Sequence, residues 1–124
     1  MLGGDLTRAE FEDAVVEALD SLPKRFADLV ENVSVTVEDE PDDRDLREVG
    51  PEAGDDRELL GIYRGVALTE RTHGVPLLPD EITIFRGPIT RVARSRNEVI
   101  RQVQKTVIHE LGHYFGLRDD EMSF

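Results

Sequence analysis

There is no cysteine and no tryptophan among the 124 residues, and only two tyrosines and five phenylalanines. Without thiols the chain has no disulfide and no thiolate zinc ligand, which leaves imidazole and carboxylate as its metal-binding groups. No apolar run approaches the about 20 residues that a membrane-spanning helix needs. Positive charge is scarce as well: 15 Lys and Arg stand against 27 Asp and Glu, a formal net charge of -12. Such a surface repels phosphate at long range, which argues against nucleic acid and anionic membranes as partners. The first residues, MLGGDLTRAEFEDAV, lack a basic stretch followed by an apolar run, so no signal peptide is expected. These absences predict a cytoplasmic protein, and the length predicts one domain over residues 1–124.

What is present reads in blocks. Thr7-Arg-Ala-Glu10 has the form of a capping box, in which a hydroxyl accepts a free backbone N–H and the glutamate reaches back. Phe11, Ala14, Val15, Ala18, Leu19 and Leu22 follow at helical spacing, predicting a helix over about 8–21. Ser21-Leu-Pro23 suits the start of a short second helix, which Asn32 would end. Val33-Ser-Val35-Thr-Val37-Glu alternates apolar and polar, the pattern of a half-buried strand.

The acidic run at about 38–58, EDEPDDRDLREVGPEAGDDRE, keeps no period and is expected as a solvated loop. It does not match the ligand spacing of an EF-hand. Leu59 to Leu68 and Ile82 to Phe85 predict two more strands, and Thr69 to Pro76 a loop between them. Ser95-Arg-Asn-Glu98 is a second capping box and opens the longest helix, predicted to end near Phe115 with Gly116 as its cap. The basic run Arg91 to Arg96 is expected as a solvated helix entry pairing with carboxylates.

Chemistry concentrates in that last helix. Placed at about 100° per residue, Ile100, Val103, Val107, Leu111 and Tyr114 gather as a core stripe, widened by Ile108 and Phe115. His109 and His113 fall on another side, with Thr106 and Gln102 near them, and Glu110 lies between the two faces. Two histidines at i and i+4 can offer two imidazole nitrogens to one zinc ion. Glu110 is too far round the helix to bind that ion well, yet it can reach a water beside it, as a general base must. Glycine at 116 lets the chain turn back at no steric cost, so that Asp119 can supply a third ligand. Asp120 and Glu121 compete for that role.

The pattern His109-Glu110-x-x-His113-x-x-Gly116-x-x-Asp119 resembles the extended zinc-binding motif of the metzincin clan, in the variant where aspartate replaces the third histidine. Together with LLGIYRGVALTER and ITIFRGPI, the run TVIHELGHYFGLRDDEM also resembles a bacterial family of very small zincin-like metallopeptidases. The resemblance implies one zinc ion per chain, with His109, His113 and Asp119 as ligands and Glu110 as catalytic base. It implies hydrolysis of a peptide or protein substrate held in extended form along a strand. Metzincins also carry a downstream methionine turn, which Met122, three residues past Asp119, does not supply. The cleft is therefore expected either to stay open or to be completed by a second copy or another partner.

Other residues have plainer explanations. His73 is expected as a surface histidine, with oxyanion stabiliser or substitute ligand as its alternatives. Tyr114 is expected to pack, and Tyr63 can face either side of its strand. The expected architecture is a single α+β domain: a twisted sheet of three or four strands on an N-terminal helix and a long C-terminal metal helix. Two alternatives to peptide hydrolysis stand beside it: a non-catalytic metal-binding module, and a metal hydrolase acting on another substrate such as RNA.

Overall fold

The computed structural model describes residues 6–31, 33–49, 59–65 and 80–116, and the side chains of all of these except 47–49, 113 and 114. Helix α1 spans Arg8–Asp20 and starts as expected. Thr7 Oγ1 accepts from the Glu10 N–H at 3.1 Å, and Glu10 Oε1 accepts from the Thr7 N–H at 2.9 Å. Phe11, Ala14, Val15 and Ala18 form its buried stripe. Helix α2, Lys24–Val30, follows Pro23 and buries Phe26 beneath the Arg25 guanidinium, 4.6 Å from the ring centre. Asn32, its expected stop, lies outside the described residues.

Strands β1 (Val33–Glu38), β2 (Gly61–Arg64) and β3 (Asp80–Phe85) form one sheet in the order β1-β3-β2. β3 is central, parallel to β1 with Val35 opposite Ile82, and antiparallel to β2 with Tyr63 opposite Ile82. Alternation along the strands separates two faces. Ile82 and Ile84, with Val33, Val35, Val37 and Tyr63, join the main core with α1 and α2. Thr36, Thr83 and Arg64 lie on the reverse face, where Thr83 Oγ1 meets Thr36 Oγ1 at 3.2 Å and accepts from Arg64 Nη1 at 3.4 Å.

Part of the acidic run departs from the expected loop. Residues Asp43–Val49 form helix α3. Its start is a reciprocal pair of carboxylates: Asp45 Oδ2 accepts from the Asp42 N–H at 2.9 Å, and Asp42 Oδ1 from the Asp45 N–H at 2.8 Å. A capping box thus hides within the composition that suggested a solvated segment, and buried Asp45 anchors the helix by an ion pair with Arg64 of β2. Helix α4, Arg86–Val92, is also an addition. Pro88 sits in its first turn, where a missing N–H costs no helical bond, and Ile89 is buried.

Helix α5, Arg96–Phe115, crosses the core. Ser95 Oγ caps the Glu98 N–H at 3.2 Å, while the Glu98 carboxylate takes the Arg94 N–H, so the return contact lands one residue earlier than expected. Gly116 closes the helix in the left-handed region at φ 68°, as its place in the sequence predicts. Val99, Val103, Val107, Ile108 and Leu111 are buried. Phe115, expected to widen the stripe, is instead 47% exposed, because it lies in the last turn. Gln104 donates to the Ala18 carbonyl at 3.1 Å and to Ser21 Oγ at 2.9 Å, so α5 satisfies the C-terminal end of α1. The basic run pairs with carboxylates as expected: Arg91 binds Glu40 at 2.7 Å and Arg96 binds Glu17 at 2.6 Å. No helix among the described residues is long and apolar enough to cross a membrane.

Candidate active site

The site is built where α5 lies along β2. Helical spacing puts Thr106 on the histidine side of the helix, away from the core. It is buried nonetheless, because β2 covers it at Gly61. A Cβ on Gly61 would stand 2.7 Å from Thr106 Cγ2 and 2.9 Å from the Thr83 carbonyl oxygen. Helix and strand therefore touch at a point that only glycine leaves room for.

One helical turn further on, the same approach brings Glu110 to the strand. Glu110 Oε1 accepts a hydrogen bond from the Tyr63 N–H at 2.9 Å. The register explains why this N–H is available. Phe85 N donates to the Leu60 carbonyl at 2.9 Å, which makes 60 and 85 a hydrogen-bonded pair. Antiparallel pairs alternate, so Ile62 opposite Thr83 bonds across the ladder, whereas Gly61 and Tyr63 turn their backbone groups away from β3. Among the described residues no strand pairs with that open edge of β2.

His109 is one position before Glu110 and is exposed on α5. His113 belongs to the same helix, one turn beyond His109. Its side chain lies outside the described residues, as do Asp119, Asp120, Glu121, Met122 and His73. The described part thus brings His109 and Glu110 together on α5 with β2 beside them. Among the described residues no three histidine, aspartate or glutamate side chains converge as a metal group.

The donor set nonetheless suits a metal of zinc type. Two histidines fall one turn apart on one helix, and Glu110 is drawn off toward the strand. Glu110 Oε1 meets the Tyr63 N–H on the β2 side. The acidic surface favours a cation, and thiolates are absent.

Tyr63 meets Glu110 through its backbone N–H. Its ring faces the core side, and its hydroxyl donates to Asp80 Oδ2 at 2.7 Å. Sequence reasoning missed Gly61 and the Tyr63 N–H as site elements. The available signal was a glycine inside the apolar strand LLGIYR, which marks a close backbone approach.

Comparison with known proteins adds to this geometry. The model of a family described as zincin-like metallopeptidase matches residues 30–124, from the end of α2 through α5 and the chain beyond it. Among solved structures, the chain is similar in fold to a conserved hypothetical protein from Thermo thermophilus. That likeness has a TM-score of 0.53 at 21% identity and covers 89% of this chain and 94% of that one. No curated protein matches.

Proposed function

The chain belongs to the zincin-like metallopeptidase family, and from that premise we propose that it is a zinc-dependent peptide hydrolase. The observation that carries this reading is Glu110, held at 2.9 Å by the Tyr63 N–H beside His109. His109, His113 and Asp119 would hold the zinc. When bound, the ion supplies positive charge that polarises a carbonyl and brings the pKa of a water toward about 7.

The protein's own groups do the rest. Glu110 takes a proton from the water that adds to the peptide carbonyl and passes it to the amine released as the C–N bond breaks. Gly61, with both backbone groups turned away from β3, offers main-chain partners to an extended peptide lying along β2. Hydrogen bonds to main-chain atoms select an extended backbone with little regard to side chains, which suits a peptide better than a nucleic acid. The net charge of -12 points the same way.

The test separates an enzyme from a binding module. Protein purified without added metal should carry about one zinc per chain by elemental analysis, and His113→Ala should lose it. With a quenched-fluorescence peptide library, Glu110→Gln should keep the zinc and lose about 10²–10⁴-fold in turnover. Equal turnover by Glu110→Gln, or no zinc uptake by the unaltered chain, would refute the proposal.

A further inference from the structure

Resting on the hydrolase reading, we infer that Gly61 and the Tyr63 N–H form a positioning device for the catalytic base. The contact between α5 and β2 is set by what Gly61 lacks. An added Cβ would stand 2.7 Å from Thr106 Cγ2 on α5 and 2.9 Å from the Thr83 carbonyl on β3, so a larger residue strains the β2–β3 pairing and forces α5 and β2 apart. Glu110 lies four residues after Thr106, on nearly the same side of the helix. Tyr63 lies two residues after Gly61, with its backbone groups turned to the same side of the strand, away from β3. The two steps are similar in length, about 6 Å along the helix and about 7 Å along the strand. A separation at Gly61 and Thr106 is therefore passed on to Tyr63 and Glu110, where a bond of 2.9 Å has little slack.

Its partner being backbone fixes what the device can do. A strand amide between two ladder-bonded residues has no rotamers, so it holds Oε1 in one place relative to the sheet. The edge of β2 turned away from β3 is also where the substrate's main chain would lie. One strand therefore sets both the peptide and the base, and their relative geometry is independent of the side chain at 63. It also follows that the Tyr63 N–H is committed to the enzyme and is not a donor to the peptide, whose main-chain recognition falls to Gly61.

Two variants test this in the full-length, zinc-loaded protein. Gly61→Ala should speed hydrogen exchange at the Tyr63 amide by about tenfold, the worth of one hydrogen bond to a carboxylate. It should also lower kcat by about ten- to a hundredfold with KM and zinc content unchanged, on the peptide that the library assay selects. Adding Thr106→Ser, which removes the methyl that the new Cβ meets, should restore part of both. The second variant carries the α-hydroxy analogue of tyrosine at 63, replacing the N–H by an ester oxygen and keeping every side chain. Because that N–H is outside the ladder, the sheet survives, and the same loss in kcat is expected even where Gly61→Ala does not fold. Turnover that persists unchanged, or rises, in the ester chain overturns the inference alone. Absence of hydrolysis by the unaltered zinc-loaded protein overturns the hydrolase reading and the inference with it.

Discussion

Asp45 and Arg64 form an ion pair that ties α3 to the edge strand β2, on the sheet face opposite α5. The Asp45 side chain is only 7% exposed and that of Arg64 30%. Asp45 also caps its own helix by accepting the Asp42 N–H at 2.9 Å. Asp45→Ala removes both and leaves a partly buried guanidinium with less compensation, at an expected cost of about 2–4 kcal/mol. Asp45→Asn keeps an acceptor for the Asp42 N–H and should cost less. Urea unfolding of the two variants measures the difference, and equal costs would show that the cap contributes nothing.

Acid should weaken the fold through three carboxylates. The backbone N–H of Asp45 holds Asp42 below its ordinary range, the Arg91 guanidinium does the same for Glu40, and the backbone N–H and hydroxyl of Thr7 for Glu10. A carboxyl depressed in the folded state binds its proton more readily when unfolded. Its contribution is therefore complete above the ordinary carboxylate pKa of about 4, and is lost as pH falls through the lower folded value. All three groups are near the surface, so each share is small and screened by salt. Thermal melts followed by circular dichroism from about pH 6 to about pH 2.5 should show a flat region and then a falling Tm. Glu40→Gln should make the fall shallower, and an unchanged slope would remove Glu40 from the account.

The parts of the fold that were legible in the sequence are those whose signals are local. Thr7 and Glu10 announce α1, the alternation of Val33, Val35 and Val37 announces β1, and Gly116 marks the end of α5. His109 and Glu110 stand together on α5 as the motif predicts, with the histidine exposed. What stayed hidden depended on distant partners. Helix α3 sits in a run of carboxylates whose charge suggests solvation, and its anchor, Arg64, lies 19 residues away. Thr106 looks like part of a polar face because nothing local says that Gly61 will cover it. The bond from Tyr63 to Glu110 spans 47 residues and involves a backbone amide, which has no sequence identity to read.

The third ligand of the proposed zinc site can be assigned by substitution. Asp119 is six positions after His113, with Gly116 in the left-handed region between them. Asp120 and Glu121 are its neighbours and carry the same donor group. Residues that only orient a ligand typically change metal affinity by about 10–100-fold, so losing a ligand itself should exceed about a hundredfold. Competition with a chelating dye should show that loss for Asp119→Ala and little change for Asp120→Ala or Glu121→Ala. A large loss in either neighbour in place of Asp119 would move the ligand by one or two positions.

Leu111 tests whether the core stripe and the histidine side of α5, where the zinc is proposed, are separable. It is fully buried in the main core, two residues after His109 and two before His113, and its position lies about 160° around the helix from each of theirs. Leu111→Ala should cost about 2–5 kcal/mol through lost burial and the cavity left behind. Zinc stabilises the folded chain according to its affinity for that state alone, by an increment that grows with concentration over Kd. If the stripe only anchors the helix, the variant should melt well below the unaltered protein in chelator, and saturating zinc should add the same free energy to both. Denaturant titrations with and without zinc give the four stabilities needed. A smaller zinc increment in Leu111→Ala would mean that the packing behind the helix also sets the ligand geometry, because a cavity there would let the two histidines shift out of register with their ion.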